Sequence, residues 1–265
     1  MKLFNMRTYI YNLFKFLYLF GASNKKIKEY LDVWNNSLID SRKYYLRTYQ
    51  YFRLYLDSRL VEHRIYFRDN QKGFGEDAFH AMWAILFEKF QYRNFLEIGV
   101  YRGQTISLNA LIAKIQGKNL DVHGVSPFDK SGDSVSNYIS IDFMEDTFLN
   151  FSKFHLPKPS LLKAFSTDQI AVDYISNNIW DCIYIDGSHD LDVVRSDWAL
   201  CSSNLKIGGI IVIDDSSKFV NYNNPFFSFK GHEGPSIVAE EIACNSQEFK
   251  EILRVGHNRV FQRLL

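Results

Sequence analysis

The sequence has little of what marks a nucleic-acid binder, a disulfide scaffold or a membrane-spanning protein. Its 31 Lys and Arg balance 30 Asp and Glu, a formal net charge of +1. No Lys/Arg-rich stripe appears, and a protein that neutralises a phosphate backbone needs one, so nucleic acid is not expected as a partner. Cys182, Cys201 and Cys244 are odd in number and lack paired spacing. They read as small apolar core residues in a reducing compartment. Residues 1–20 are rich in Phe, Tyr and Leu, but Asn5, Arg7, Asn12 and Lys15 interrupt them. No run there reaches the ~18–20 apolar residues of a membrane span. The same interruptions spoil the apolar core of a signal peptide, although Gly21-Ala22-Ser23 mimics a cleavage site, so export is not expected. The segment reads as a helix packing on a partner subunit, or as an amphipathic helix in peripheral contact with a membrane surface.

What is present is a set of short apolar strands that end abruptly in carboxylates. Asp181-Cys-Ile-Tyr-Ile-Asp186 runs into Gly187-Ser188-His189, and Gly208-Gly-Ile-Ile-Val-Ile-Asp-Asp215 ends in two acids. Continuous apolar runs suit strands buried on both faces of a parallel sheet. Ligands of such sheets sit beyond the carboxyl ends of the strands. Three acidic side chains gathered there repel one another unless a proton or a cation sits among them. Between the strands, Leu191, Val194, Trp198, Cys201 and Leu205 recur at helical spacing, and Lys206, Gly208 and Gly209 read as the stop. Strand, helix and strand at this length form a right-handed crossover, which makes the strands parallel.

A third strand end lies upstream. Asn94-Phe-Leu-Glu-Ile-Gly99 leads through Val100-Tyr-Arg-Gly103-Gln-Thr105 into a helical pattern ending near Lys114. Glu97 sits near the end of that strand, and the glycines allow a tight turn and close backbone approach. A dinucleotide site prefers Gly-x-Gly-x-x-Gly; the Glu-x-Gly-x-x-x-Gly found here suits a ligand with a cationic or hydroxyl-rich part and argues against a nicotinamide enzyme.

Glu97-Ile-Gly99-Val-Tyr-Arg-Gly103 resembles the first motif of class I S-adenosylmethionine-dependent methyltransferases. The Asp186-Gly-Ser-His189 and Gly208-Gly209…Asp214-Asp215 stretches resemble the fourth- and fifth-strand motifs of its metal-dependent, small-molecule O-methyltransferase branch, which includes enzymes that methylate sugar hydroxyls. The resemblance covers about residues 72–265. It implies a three-layer, Rossmann-like α/β fold with seven mostly parallel strands and a C-terminal antiparallel hairpin. Glu97, Gly99, Gly103 and Thr105 would form the cofactor loop, and Ser166 would lie beside the adenine. Asp186, Asp214 and Asp215 would hold Mg²⁺ or a similar hard cation, as oxygen-only ligands favour. Asp186 would also serve the cofactor and catalysis, and His189 would take the acceptor proton. One departure stands out: Ser126 occupies the place where the family has an acidic residue for the ribose, with Asp129 in the following loop. The Asn/Asp-Pro-Pro-aromatic motif of base methyltransferases is absent, and the family resemblance points to small molecules.

The chemistry is arguable without the family. Methyl transfer from a sulfonium is an in-line displacement, so alignment matters most. A sugar hydroxyl is a poor nucleophile; a divalent cation lowers its pKa and fixes its direction, and a histidine accepts the proton. Of the other histidines, His63, His80, His123, His155, His232 and His257 show no metal spacing. His232 lies in the aperiodic stretch 216–235, whose Phe226, Phe227 and Phe229 suit a lid or a sugar-stacking surface.

Helical periodicity runs through residues 24–69, and Asp69-Asn-Gln-Lys-Gly-Phe-Gly75 breaks it. Residues 1–70 therefore read as an N-terminal helical cap contributing to substrate enclosure and homo-oligomerisation, and 71–265 as the methyltransferase domain. Ser236–Phe249 reads as a helix, and residues 251–256 and 258–264 as two strands about a turn at Gly256-His257. The expectation is a cytoplasmic enzyme that methylates a hydroxyl of a small, sugar-like acceptor. The alternative is a cofactor-binding but inactive subunit that docks a partner through its helices, a reading the Ser126 departure slightly favours and the intact acidic triad opposes.

Overall fold

The computed structural model describes residues 24–131 and 141–265. The expected interfacial helix within residues 1–20 lies outside them. Four helices come first: α1 (Asn24–Asp32), α2 (Asn35–Ile39), α3 (Ser41–Leu54) and α4 (Ser58–Asp69). They lead to α5 (Asp77–Phe90), β1 (Asn94–Ile98), α6 (Gln104–Ile115), β2 (Asp121–Ser126), α7 (Phe143–Lys153), β3 (Ser160–Lys163) and α8 (Gln169–Ser176). β4 (Trp180–Ile185), α9 (Leu191–Ser203), β5 (Leu205–Ile213), α10 (Glu233–Asn245), β6 (Phe249–Val255) and β7 (Asn258–Arg263) complete the chain.

The strands form one seven-stranded sheet in the order β3-β2-β1-β4-β5-β7-β6. The first five are parallel, and β7 runs antiparallel to both β5 and β6. The order reverses between β1 and β4, the topological switch point where open α/β sheets bind ligands. Alternate strand residues face opposite sides, so each side carries its own apolar core. Ala171, Ile175, Val194, Cys201, Val238 and Ile242, from α8, α9 and α10, pack on one side. On the other, α5 and α6 share a continuous core with the N-terminal helices: Ile27, Leu31, Tyr44, Tyr45, Tyr49 and Leu60 pack in the same cluster as Trp83, Phe95 and Tyr184. Residues 24–69 thus extend the core of the sheet domain. No helix among the described residues is long and apolar enough to cross a membrane.

Three boundaries differ from the sequence reading. The helix after β4 stops at Ser203, with Asn204 as its C-cap. Lys206, Gly208 and Gly209 belong to β5, where Gly208 takes φ +82° and the register against β4 shifts. Gly209 is required there because a Cβ would stand 2.8 Å from the Asp181 carbonyl oxygen. Phe249 opens β6 instead of closing the last helix. Cys182 and Cys201 are buried as expected, but Cys244 is exposed.

Gly99 fixes how β1 and β4 finish side by side. It takes φ +93°, and a Cβ there would lie 2.0 Å from the Asp186 carbonyl oxygen. Gly99→Ala should cost about 3 kcal/mol or more, since backbone strain and a buried clash add. Urea denaturation checks this; a loss below about 1 kcal/mol would mean the strand ends separate easily.

Candidate active site

Register brings the acids together. Ile98 pairs with Ile185, and Ile185 with Ile213. Beyond these pairs the ladder continues: Asp186 N–H donates to the Ile98 carbonyl at 2.9 Å and Asp214 N–H to the Ile185 carbonyl at 3.0 Å. Asp186 and Asp214 therefore leave adjacent strands at the same height. Glu97 lies two residues before Gly99 and so faces the same side. Asp215 turns the chain through φ +51°, a left-handed conformation that Asp tolerates. All four carboxylates line one cavity of about 390 Å³.

That cavity also receives Gly99, Thr105, His189, His232 and His257. Its walls include the aromatic rings of Phe74, Phe79, Trp83, Tyr101, Tyr184 and Phe229. Lys72 and Arg102 stand at the same cavity, and both pair with Asp146, at 2.8 and 2.6 Å. A second cavity of about 240 Å³ is lined by Ser126, Asp129, Phe165, Ser166 and Ser188. Gly99, Tyr101 and Asp186 line both, so the two spaces meet at the ends of β1 and β4. Gly103 is the N-cap of α6 at φ +80°, and its missing Cβ leaves room for Thr147. Ser166 donates to the buried Asp197 of α9, a contact invisible in the sequence pattern; burial raises the Asp197 carboxyl to about 6.

Electrostatics separates the four acids. Burial pushes Glu97 up to about 8; the charge of Asp214 adds to this, and a hydrogen bond from the Ile106 amide opposes it. Its Oε2 is buried and accepts no hydrogen bond among the described residues. Burial also raises Asp186 well above the usual carboxylate range, reinforced by the charge of Asp214. The two side chains hydrogen-bond each other, which requires a shared proton. Burial raises Asp214 as well, against the attraction of His257. Asp215 is held below its ordinary range: burial opposes ionisation, but the hydrogen bond with His189 and the charges of His257, His189 and His232 outweigh it. His189 Nε2 lies 3.0 Å from Asp215 Oδ2, and His232 Nε2 lies 3.7 Å from the same oxygen.

His257 was not legible as a site residue from spacing. It occupies the β6–β7 turn, where its Nε2 lies 3.3 Å from Asp214 Oδ1 and 3.6 Å from Asp215 Oδ1. Burial lowers its pKa, but the charges of Asp214, Asp215 and Glu76 more than offset this and raise it. Glu76, the N-cap of α5, accepts from Tyr45 Oη at 2.6 Å and from the Phe229 amide at 3.2 Å. The N-terminal helices thereby buttress the 216–231 segment, whose Phe227 ring packs on Tyr45 and Tyr49 at centroid distances of 6.2 and 5.6 Å. Arg259, buried in β7, pairs with Glu251 at 2.7 Å and Glu240 at 2.5 Å, tying the hairpin to α10.

These residues fit a cation. Asp186 and Asp214 share a proton where an ion could stand, and Asp214 Oδ1 is buried without a hydrogen-bond partner among the described residues. Two overlapping sets of donors, His189/Asp215/His232 and Asp214/Asp215/His257, each lie within 4.8 Å of one another. The residues also fit a sulfonium nucleoside. The orphaned Glu97 oxygen suits an ammonium group, and the start of α6 at Gln104 and Thr105 suits a carboxylate.

Residues 96–216, from β1 to the end of β5, match a family model described as a methyltransferase domain. No curated protein sequence matches the chain. Among solved structures, a proposed caffeoyl-CoA O-methyltransferase from Staphylococcus aureus superposes with a TM-score of 0.57 at 13% identity, over 79% of this chain and 93% of that one. An O-methyltransferase from Bacillus cereus, solved with S-adenosylhomocysteine, gives 0.53 at 14% identity over 90% and 100%. TomG of Streptomyces achromogenes, an O-methyltransferase of tomaymycin synthesis solved with S-adenosylmethionine, gives 0.53 at 12% identity over 89% and 99%. At these identities the likeness establishes a shared fold.

Proposed function

We propose that this chain, which carries a methyltransferase domain over residues 96–216, is an S-adenosylmethionine-dependent O-methyltransferase acting on a hydroxyl of a small, sugar-like acceptor with a divalent cation. The observation that carries the reading is the meeting of two cavities at Gly99, Tyr101 and Asp186. A methyl donor bound across that junction would lie against Gly99, Tyr101 and Asp186, next to the acidic cluster. The smaller cavity, lined by Ser126, Asp129 and Ser166, would take the nucleoside, with Ser126 and Asp129 available to the ribose in place of the single acid that the family resemblance leads one to expect. In the larger one, Glu97 would hold the ammonium group and the start of α6 would meet the carboxylate.

S-adenosylmethionine supplies an electrophilic methyl, and a divalent cation supplies positive charge that makes a coordinated hydroxyl more acidic and fixes its direction. Asp186, Asp214 and Asp215 would hold the cation. His189, whose Nε2 bonds Asp215 and whose side chain lines the larger cavity, takes the acceptor proton. Phe74, Tyr101 and Phe229 supply apolar faces against which the carbon skeleton of a sugar ring packs, and they limit water at the site. Incubating the protein with S-adenosylmethionine, Mg²⁺ or Mn²⁺ and a panel of sugar and phenolic acceptors should yield S-adenosylhomocysteine in an acceptor-dependent, chelator-sensitive way. Tight S-adenosylhomocysteine binding without turnover on any acceptor would favour the inactive-subunit reading. Mass spectrometry of cell glycans before and after gene deletion would identify the acceptor.

Glu97 gives a pH test of the cofactor site. Its carboxyl, near 8, is mostly protonated at neutral pH, whereas an ammonium group needs the carboxylate. S-adenosylhomocysteine affinity should therefore rise from pH 6 to 8, by at most about tenfold per unit, and level above. Glu97→Gln should flatten the profile and weaken binding at pH 8.5 by roughly 10–100-fold, the range of a charged hydrogen bond. Isothermal titration calorimetry across this range decides it; an unchanged pH slope in the variant would remove Glu97 from the contact.

A further inference from the structure

We infer that His257 is a metal ligand: its Nε2 joins Asp214 Oδ1 and Asp215 Oδ1 around a divalent transition-metal ion at the acceptor end of the larger cavity. The inference rests on the reading that a cation belongs in the acidic cluster, and it names a nitrogen donor that an oxygen-only Mg²⁺ site would lack. Three observations carry it. His257 is buried, its side chain 9% exposed, and it sits on a hairpin that Arg259 ties to α10. Its Nδ1 faces the Phe229 carbonyl at 3.3 Å. A backbone carbonyl on one ring nitrogen is the arrangement that fixes the tautomer of ligating histidines and aims the other nitrogen at the metal. Finally, Asp214 Oδ1 is buried and accepts no hydrogen bond among the described residues although Nε2 is 3.3 Å away, which leaves that oxygen available to an ion.

The spacing suits an ion. Donors bonded at about 2.1–2.4 Å stand roughly 3.0–3.4 Å apart along an octahedral edge. The observed 3.3 and 3.6 Å need only a small contraction. Asp215 is divided between two tasks: Oδ2 faces His189 and His232, while Oδ1 faces His257. That division leaves His189 for the acceptor proton and favours His257 over the neighbouring His189/Asp215/His232 set as the nitrogen donor. One imidazole among carboxylates shifts preference from Mg²⁺ toward Mn²⁺, Co²⁺ or Zn²⁺.

The test uses full-length protein loaded with Mn²⁺ or Co²⁺. Calorimetry should show Co²⁺ binding at least ~10-fold tighter than Mg²⁺. H257Q should weaken Co²⁺ by about 10–100-fold while Mg²⁺ affinity moves far less. Pulsed EPR of the Mn²⁺ form, with ¹⁴N- and then ¹⁵N-labelled histidine, should show one coupled histidine nitrogen that H257Q removes and H232Q retains. The H189Q/H232Q double variant leaves the hairpin untouched and should keep the signal, which settles the assignment even if H257Q does not fold. A signal lost in H232Q and kept in H257Q, or no histidine coupling on bound Mn²⁺, would overturn the inference while leaving a cation on the carboxylates. S-adenosylhomocysteine titrated in parallel tests the methyltransferase reading separately, since its failure would not alter the nitrogen signal.

Discussion

Asp186→Asn should stop methyl transfer, lowering kcat/KM by about 10³-fold or more, while the fold keeps or gains stability. The activity loss follows from position: Asp186 lines both cavities, and its backbone is locked to Ile98 at the junction. Asparagine keeps the shape but removes a charge from the cation's donor set. Cation activation of a hydroxyl is worth several kcal/mol, and each 1.36 kcal/mol is about tenfold in rate. The stability gain follows from the raised carboxyl. Burial and Asp214 keep Asp186 protonated in the folded chain at pH values where the unfolded chain has released its proton. The folded state then binds more protons, so this group's contribution to stability falls as pH rises above about 4, by at most ~1.4 kcal/mol per unit. Asparagine cannot ionise, so the variant should lose that slope and melt no lower than wild type at neutral pH. Thermal melts from pH 5 to 8 beside turnover assays separate the effects. Full activity in the variant, or in excess chelator, would take the cation out of the mechanism.

The parts of the molecule that were readable from sequence share a cause: their signals are local. Apolar runs ending in Glu97, Asp186 and Asp214 gave three parallel strand ends, because burial on both sheet faces dictates composition residue by residue. The hairpin turn at Gly256-His257 was legible from the tight turn between two apolar runs, and Gly256 takes φ +60° there. What failed was tertiary. Gly208 and Gly209 looked like a helix stop, and only the bulged pairing of β5 with β4 explains them. His257 carries no local signal: it reaches the acids only because β7 inserts antiparallel between β5 and β6, returning the hairpin turn to the carboxyl end of β5. Glu76 and Tyr45 join the site for a similar reason, since the packing of α3 on α5 is set by a shared core and leaves no motif in either helix. Asp197 was hidden because an acid in an amphipathic helix normally faces water, whereas this one is buried behind Ser166.

His189→Gln should lower kcat by about 10²–10³-fold, within the range for loss of a positioned base, with little change in cofactor affinity. The prediction turns on the division of labour at Asp215. Its carboxylate is held ionised below the usual range, so the bond to His189 Nε2 persists across any practical assay pH. That bond fixes the ring, much as a buried carboxylate orients the histidine of a hydrolase triad. Glutamine can keep a hydrogen bond to Asp215 but cannot take a proton. The wild-type rate should therefore fall on the acid side as the base becomes protonated, and the variant's profile should lose that limb. His189 lies outside the smaller cavity, so S-adenosylhomocysteine affinity should change less than threefold, a bound of about 0.65 kcal/mol. Added imidazole should restore part of the rate to His189→Ala, because the vacated space adjoins the larger cavity. A variant whose pH profile overlays wild type would move the proton to another acceptor, with His232, at 4.2 Å between ring centroids, the next group to replace.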